Sequence, residues 1–157
     1  MIRLLGVAAL ALLGDVATKA LAARCLGEGA VHLGALVELR CMRNTGMALG
    51  IFAEQRGLAL LLPVLTMLCA VWLMRRYRLT AFTSTCWGLV VGGSAGNFLQ
   101  RALQGYVLDM IFFPWLPWFV CNVADICICF GVALLAVSVL ARPGDWEEKR
   151  RTKDANH

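Results

Sequence analysis

Three pairs of polar residues stand at helical spacing in an otherwise apolar chain: Asp15 with Lys19, Asn97 with Arg101, and Asn122 with Asp125. Members of the first two pairs are four positions apart and those of the third are three apart, so each pair shares one face of a helix. Asp109 lies between the second and third pairs. If Asp109 and Asp125 face each other, repulsion and poor solvation keep a proton on one while the other stays ionised. The ionised member can take a proton from water as that water attacks a carbonyl, and the protonated member can polarise the carbonyl oxygen. This is the logic of an aspartic protease.

Other hydrolytic machinery lacks its parts. The only histidines are His32 and His157, and neither His-Glu-x-x-His nor Gly-x-Ser-x-Gly occurs. A Ser-Lys dyad would require Lys19 to reach a serine such as Ser94. There is no Gly-rich phosphate loop, and Cys127 and Cys129, two apart, point in different directions on a helix and make a poor metal clip. Plainer readings also fit most of the polar residues. Asp15 and Lys19 can simply neutralise each other, Arg101 can snorkel to an interface, Asn97 can bond a neighbouring helix, and Asp109 can be a solvated acid. Asp125, with no cation near it in sequence, is the hardest to explain in this way.

The elements that position these groups follow from composition. Of 157 residues, 60% are hydrophobic and 16% charged, with mean hydropathy +0.71. A soluble domain keeps about a quarter of its residues charged, so the excess apolar surface requires lipid. Apolar runs of span length, roughly 20 residues, cover residues 2–23, 57–74, 81–99 and 119–141. The expected fold is an all-α membrane protein of four transmembrane helices with a small extracytoplasmic β/loop element over 24–56. Within that element, the partly alternating residues 31–39 predict short strands. Residues 1–142 form the membrane domain and 143–157 a polar, solvated, partly disordered cytoplasmic tail.

The first run also resembles a signal peptide, with Arg3 and Ala20-Leu21-Ala22, but Asp15 and Lys19 sit where such a peptide is apolar or small, so a retained span is expected. Gly92 and Gly96 have the small-xxx-small spacing that lets helices approach closely. Residues 111–118, with two prolines and two tryptophans, read as an interfacial loop. With the N-terminus inside, Arg3, Arg75, Arg76, Arg78, Arg142, Lys149, Arg150, Arg151 and Lys153 are cytoplasmic. Arg24, Arg40, Arg43, Arg56 and Arg101 lie opposite. This bias places both termini in the cytoplasm, and the polar pairs then converge on the outer boundary of the membrane. The net charge of +5 thus reports orientation, and no basic face with interleaved aromatics indicates nucleic acid. The seven cysteines read mainly as small buried hydrophobes, with Cys25 and Cys41 a candidate disulfide.

Four motifs then resemble, in order, those of the lipoprotein signal peptidases, the type II signal peptidases of bacteria. Asp15-Val-Ala-Thr-Lys19 is similar to D-x-x-x-K, and Arg43-Asn-Thr-Gly-Met-Ala48 to N-x-G-x-A. Gly96-Asn97, Arg101, Gly105 and Val107-Leu-Asp109 resemble G-N-x-x-D-R-x-x-x-G-x-V-x-D, and Asn122-Val-Ala-Asp125 resembles N-x-A-D. The resemblance implies that Asp109 and Asp125 are catalytic, in agreement with the placement argument. It implies that Asp15, Lys19, Asn44, Gly46, Ala48, Asn97, Arg101, Asn122 and Ala124 shape or line the substrate site. It further implies a prolipoprotein substrate whose cysteine already carries diacylglycerol and which is cut just before that cysteine. The partners are then prolipoproteins and membrane lipids, in a monomer of the bacterial inner membrane with its site at the extracytoplasmic face, needing no metal or organic cofactor. The chain departs from the pattern at Gln100, where the family usually has an acid, so an ion pair supporting Arg101 is expected to be lost. Met47, Leu49 and Cys121 also replace more usual residues, which bears on the shape of the cavity.

The rival functions are a proton-coupled transporter with Asp15, Lys19 and Asp125 as a relay, and a non-catalytic scaffold. The transporter predicts polar residues across the whole bilayer and repeated halves, and neither is present in the sequence.

Overall fold

Glycines along one helix decide how the bundle packs. In the computed structural model, which describes residues 1–27, 29–46 and 56–149, the helix α3 (Ala81–Gln104) is central and packs against α1 (Ile2–Cys25), α2 (Arg56–Arg76) and α4 (Val123–Ala141). A Cβ added at Gly92 would collide with the carbonyl oxygen of Ala8, and one at Gly96 would stand 2.7 Å from Asp15 Oδ2. The bare backbone of α3 therefore lets α1 approach closely enough for Asp15 to enter the interior. On its opposite side, Gly93 meets the Ala124 carbonyl oxygen of α4. The spacing expected of Gly92 and Gly96 thus serves the α1–α3 contact.

The ends of α3 are specified locally. Thr80 and Thr83 form a reciprocal capping box at its start. Gly105, with φ +77°, ends it in the left-handed conformation and donates its N–H to the Arg101 carbonyl at 2.9 Å. The helix therefore runs past residue 99 and carries Arg101 on the same face as Asn97.

Beyond that end lies a four-stranded antiparallel sheet in the order β1 (Ala30–Leu33), β2 (Val37–Asn44), β3 (Val107–Phe112) and β4 (Val120–Cys121). Strands were expected over 31–39; β1 and the start of β2 lie there, but β2 runs on to Asn44 and the sheet also recruits residues from outside 24–56. The segment read as a loop over 111–118 begins inside β3, and its Trp115 and Trp118 stay exposed. β2 and β3 pair Met42 with Asp109, Arg43 with Leu108 and Asn44 with Val107, after a register shift between Leu39 and Met42.

Two further expectations are revised. The fourth helix starts at Val123, not 119: β4 pairs with β3, and Asn122 caps the helix from outside it. Asn122 and Asp125 are therefore not two residues on one helix face but the two halves of a capping box. Residues 142–149 do not run free either. A short 3-10 turn, Pro143–Trp146, brings the Trp146 ring edge-on to Tyr77 at 5.4 Å, and its Nε1 donates to Ser138 Oγ at 3.0 Å. Arg142 Nε donates to Asp145 Oδ2 at 2.6 Å, and Glu147 and Lys149 make backbone hydrogen bonds to Arg78 and Arg76.

Among the described residues two helices, α1 and α4, are long and apolar enough to cross a membrane by length and composition. Their outer faces expose Leu10, Leu13, Phe130 and Val137. All seven cysteines are unpaired, including Cys25 and Cys41.

Replacing Gly92 by Ala is expected to lower the thermal midpoint in detergent, since overpacking costs about 1–3 kcal/mol. Gly6→Ala, where an added Cβ meets nothing within 4 Å, is expected not to lower it. Equal behaviour of the two variants would show that close approach at Gly92 does not matter.

Candidate active site

Asp15 is fully buried and has both carboxylate oxygens engaged. Oδ2 accepts from Lys19 Nζ at 2.7 Å, one helical turn along α1, and Oδ1 accepts the backbone N–H of Ala124 at 3.0 Å, in the first turn of α4. A carboxylate is well placed there, because the first N–H groups of a helix lack intrahelical acceptors and carry partial positive charge. Lys19 Nζ also donates to Asn97 Oδ1 of α3 at 3.0 Å. One buried ion pair thereby joins three helices.

Asn97 passes the connection on. Its Nδ2 donates to Asp125 Oδ1 at 2.7 Å, while its oxygen also receives Asn122 Nδ2 at 3.2 Å. Asn122 reaches both acids. Its Nδ2 donates to Asp109 Oδ1 at 2.7 Å, its backbone N–H donates to Asp125 Oδ2 at 3.1 Å, and its Oδ1 accepts the Asp125 N–H at 3.0 Å. The cap that starts α4 therefore also fixes Asp125 beside Asp109. On the far side of Asp109, Asn44 Nδ2 donates to Oδ2 at 2.8 Å, and Asn44 Oδ1 accepts the Gly46 N–H at 3.0 Å. Arg101 Nη2 donates to the Gly46 carbonyl at 3.1 Å, holding the segment after β2 against α3.

Asp109 lies on β3 and is 2% exposed. Burial, which penalises the charged form, pushes its carboxyl up to about 6. The hydrogen bond from Asn44 opposes this, the Asp125 charge adds to it, and Asn122 and Lys19 pull weakly the other way.

The structure thus brings Asp15, Lys19, Asn44, Gly46, Asn97, Arg101, Asp109, Asn122, Ala124 and Asp125 into one network. Ala48 lies outside the described residues. The two carboxylates meet at Asn122, and each of their four oxygens accepts a hydrogen bond from Asn44, Asn97 or Asn122. Among the described residues, no group of three or more His, Cys, Asp or Glu side chains gathers so as to hold a metal ion.

Gln100 has a role that sequence reasoning missed. Read as the loss of an ion pair for Arg101, it instead accepts the Leu108 N–H at 2.9 Å and donates to Gln104 at 3.1 Å. Adjacent helix positions point about 100° apart, so residue 100 faces β3 while residue 101 faces Gly46. Gln100 fixes the strand one residue before Asp109. Its signal in sequence was the acceptor oxygen it shares with the usual acid. Gln100→Ala should lower the thermal midpoint by the loss of a hydrogen bond worth about 1 kcal/mol, and Gln100→Glu, which keeps an acceptor, should restore it. Equal loss in both variants would contradict this role.

Comparison with known proteins completes the description. The family model described as Signal peptidase (SPase) II matches residues 7–141. The chain is 36% identical over 114 residues to a lipoprotein signal peptidase of Actinobacillus succinogenes, covering 67% of this chain and 69% of that one. It is 34% identical over 143 residues to one of Syntrophotalea carbinolica, covering 86% and 89%. A lipoprotein signal peptidase of Streptococcus pneumoniae is 28% identical over 116 residues, with 73% and 76% covered. A bacterial membrane enzyme solved by the in meso method at 2.3 Å resolution has the same fold, with TM-score 0.78 at 22% identity over 96% of this chain and 95% of that one. With the family model matching residues 7–141 and these relatives covering most of the chain, the protein belongs to the signal peptidase II family, a family of proteases.

Proposed function

We propose that the chain is an aspartic endopeptidase of the membrane that removes the signal peptide from diacylglyceryl-modified prolipoproteins, cutting just before the lipidated cysteine. The observation that carries this reading is Asn122, whose amide binds Asp109 while its backbone N–H and side-chain oxygen bind Asp125. One residue ties the two carboxylates together.

Burial keeps a proton on Asp109 up to about pH 6, which suits it to donate to the carbonyl oxygen. Asp125 takes a proton from the water as the water oxygen bonds to the carbonyl carbon. In the collapse of the tetrahedral diol, Asp125 returns that proton to the departing nitrogen and Asp109 regains its own from the diol hydroxyl. Both acids end as they began. The remaining residues brace the pair: Lys19 through Asn97 to Asp125, and Arg101 through Gly46 and Asn44 to Asp109.

In this reading α2 and α3 also span the bilayer, both termini are cytoplasmic, and the sheet lies on the extracytoplasmic surface of the inner membrane. The bias of Lys and Arg toward the opposite side and the exposed Trp115 and Trp118 near the sheet support that orientation. A lipid-modified cysteine then holds the scissile bond at the depth of the acids before any chemistry. Confinement of the polar network to one end of the bundle argues against a transporter, whose relay would run its whole length.

Cleavage of a purified diacylglyceryl-modified prolipoprotein is expected to fall about 1,000-fold or more in Asp109→Asn and in Asp125→Asn, both at wild-type levels of membrane insertion. Near wild-type cleavage in either variant would overturn the dyad.

A second prediction concerns stability. Because the folded state holds the Asp109 proton up to about pH 6, against an ordinary carboxyl near 4, its ionisation opposes folding. The contribution is absent below about pH 4, grows through about pH 6 and then levels off. The thermal midpoint of wild type minus that of Asp109→Asn should therefore fall between pH 4 and 7. A constant difference would contradict a raised Asp109.

A further inference from the structure

The face of the β2–β3 ladder turned away from Asp109 closes a second space. Met42 pairs with Asp109 and Arg43 with Leu108, and adjacent residues of a strand point to opposite faces. Arg43 and Leu108 line a cavity of about 970 Å³ between α1, α3 and the sheet, and neither Asp109 nor Asp125 lines it.

Charge and wall chemistry narrow what this cavity takes. Among the described residues, the charged groups lining it are Asp15, Lys19 and Arg43, one negative and two positive. Asp15 has both oxygens engaged, by Lys19 and by the Ala124 N–H, and so offers nothing to Arg43. Arg43 lies over the Tyr106 ring at 5.3 Å and makes no ion pair among the described residues. The described lining thus carries a surplus of one positive charge, on Arg43 of the sheet. The helical walls are apolar, with Val16 and Ala20 on α1 and Leu99 and Leu103 on α3, and Leu103 is 75% exposed. A ligand that matches has one negative charge at its head and hydrocarbon behind it, and enters sideways between two helices.

We infer that this cavity binds one anionic phospholipid of the surrounding bilayer, its phosphate on Arg43 and its acyl chains along the α1–α3 groove. Neither Asp109 nor Asp125 lines the site, whereas Asp15 and Lys19 of the network beside them do. Lys19, which lines the cavity, donates to Asn97, which holds Asp125, so the bound lipid would adjoin the polar network. The inference rests on the membrane placement proposed above and not on the peptidase chemistry.

The test is native mass spectrometry of the full chain in neutral detergent, titrated with phosphatidylglycerol or phosphatidylcholine. One phosphatidylglycerol should be retained about tenfold more tightly than phosphatidylcholine. Arg43→Gln should weaken it about fivefold, as expected for one basic residue near an anionic lipid, and Ala20→Phe, which fills the wall, should also weaken it. Arg78→Gln, at the other end of α3, should leave binding unchanged, and Asp109→Asn should bind as wild type whatever its activity. Equal binding of the two lipids, wild-type binding by Arg43→Gln or Ala20→Phe, or equal weakening by Arg78→Gln would overturn the site.

Discussion

The buried ion pair of Asp15 and Lys19 is the interaction on which the rest depends. A charge withdrawn from water must be paired and its remaining bonding capacity used, and removing one partner of such a pair costs about 3–5 kcal/mol. Here the unused capacity is spent between helices: Asp15 takes the first-turn N–H of α4, and Lys19 takes the Asn97 oxygen of α3. The pair is therefore satisfied only when α1, α3 and α4 are in register. Gly96 is the steric condition for this, since a side chain there would meet the Asp15 carboxylate.

From that junction Asp109 and Asp125 are reached by asparagines. Asn97 and Asn122 each offer one donor pair and one acceptor, so fixing one end of the amide fixes the other. Lys19 on the Asn97 oxygen turns the amide NH2 toward Asp125, and the helix cap on the Asn122 oxygen turns that residue's amide NH2 toward Asp109. Neutral amides position the two acids without adding a charge that would hold both ionised. The same logic explains why Arg101 acts at a distance, on the Gly46 carbonyl, rather than on either carboxylate directly.

Much of this was legible in the chain because it is local. The four-residue spacings of Asp15 with Lys19 and of Asn97 with Arg101 do place each pair on one helix face. Apolar runs located the helices, and Gly92 and Gly96 marked a close contact. What escaped was set by distant partners. Asn122 and Asp125, three apart, fit both a shared helix face and a capping box, and the pairing of Cys121 with Ile111 across the sheet decides for the cap. Gln100 acquires its role only because Gly105 turns the chain back and brings Leu108 over it. The docking of 142–149 depends on Tyr77, at the end of α2, which no feature of the tail announces.

The central claim is that Asp109 and Asp125 act as one unit on a single water. A lipidated peptide carrying a hydroxymethylene group in place of the scissile amide mimics the tetrahedral species, and transition-state analogues gain affinity only from groups that stabilise that species. The most direct measurement is the affinity of this peptide relative to an uncleavable N-methyl amide counterpart, in wild type and in the two Asn variants. The account predicts a preference of about 100-fold or more in wild type that disappears in Asp109→Asn and Asp125→Asn alike. A preference retained in either variant would contradict it.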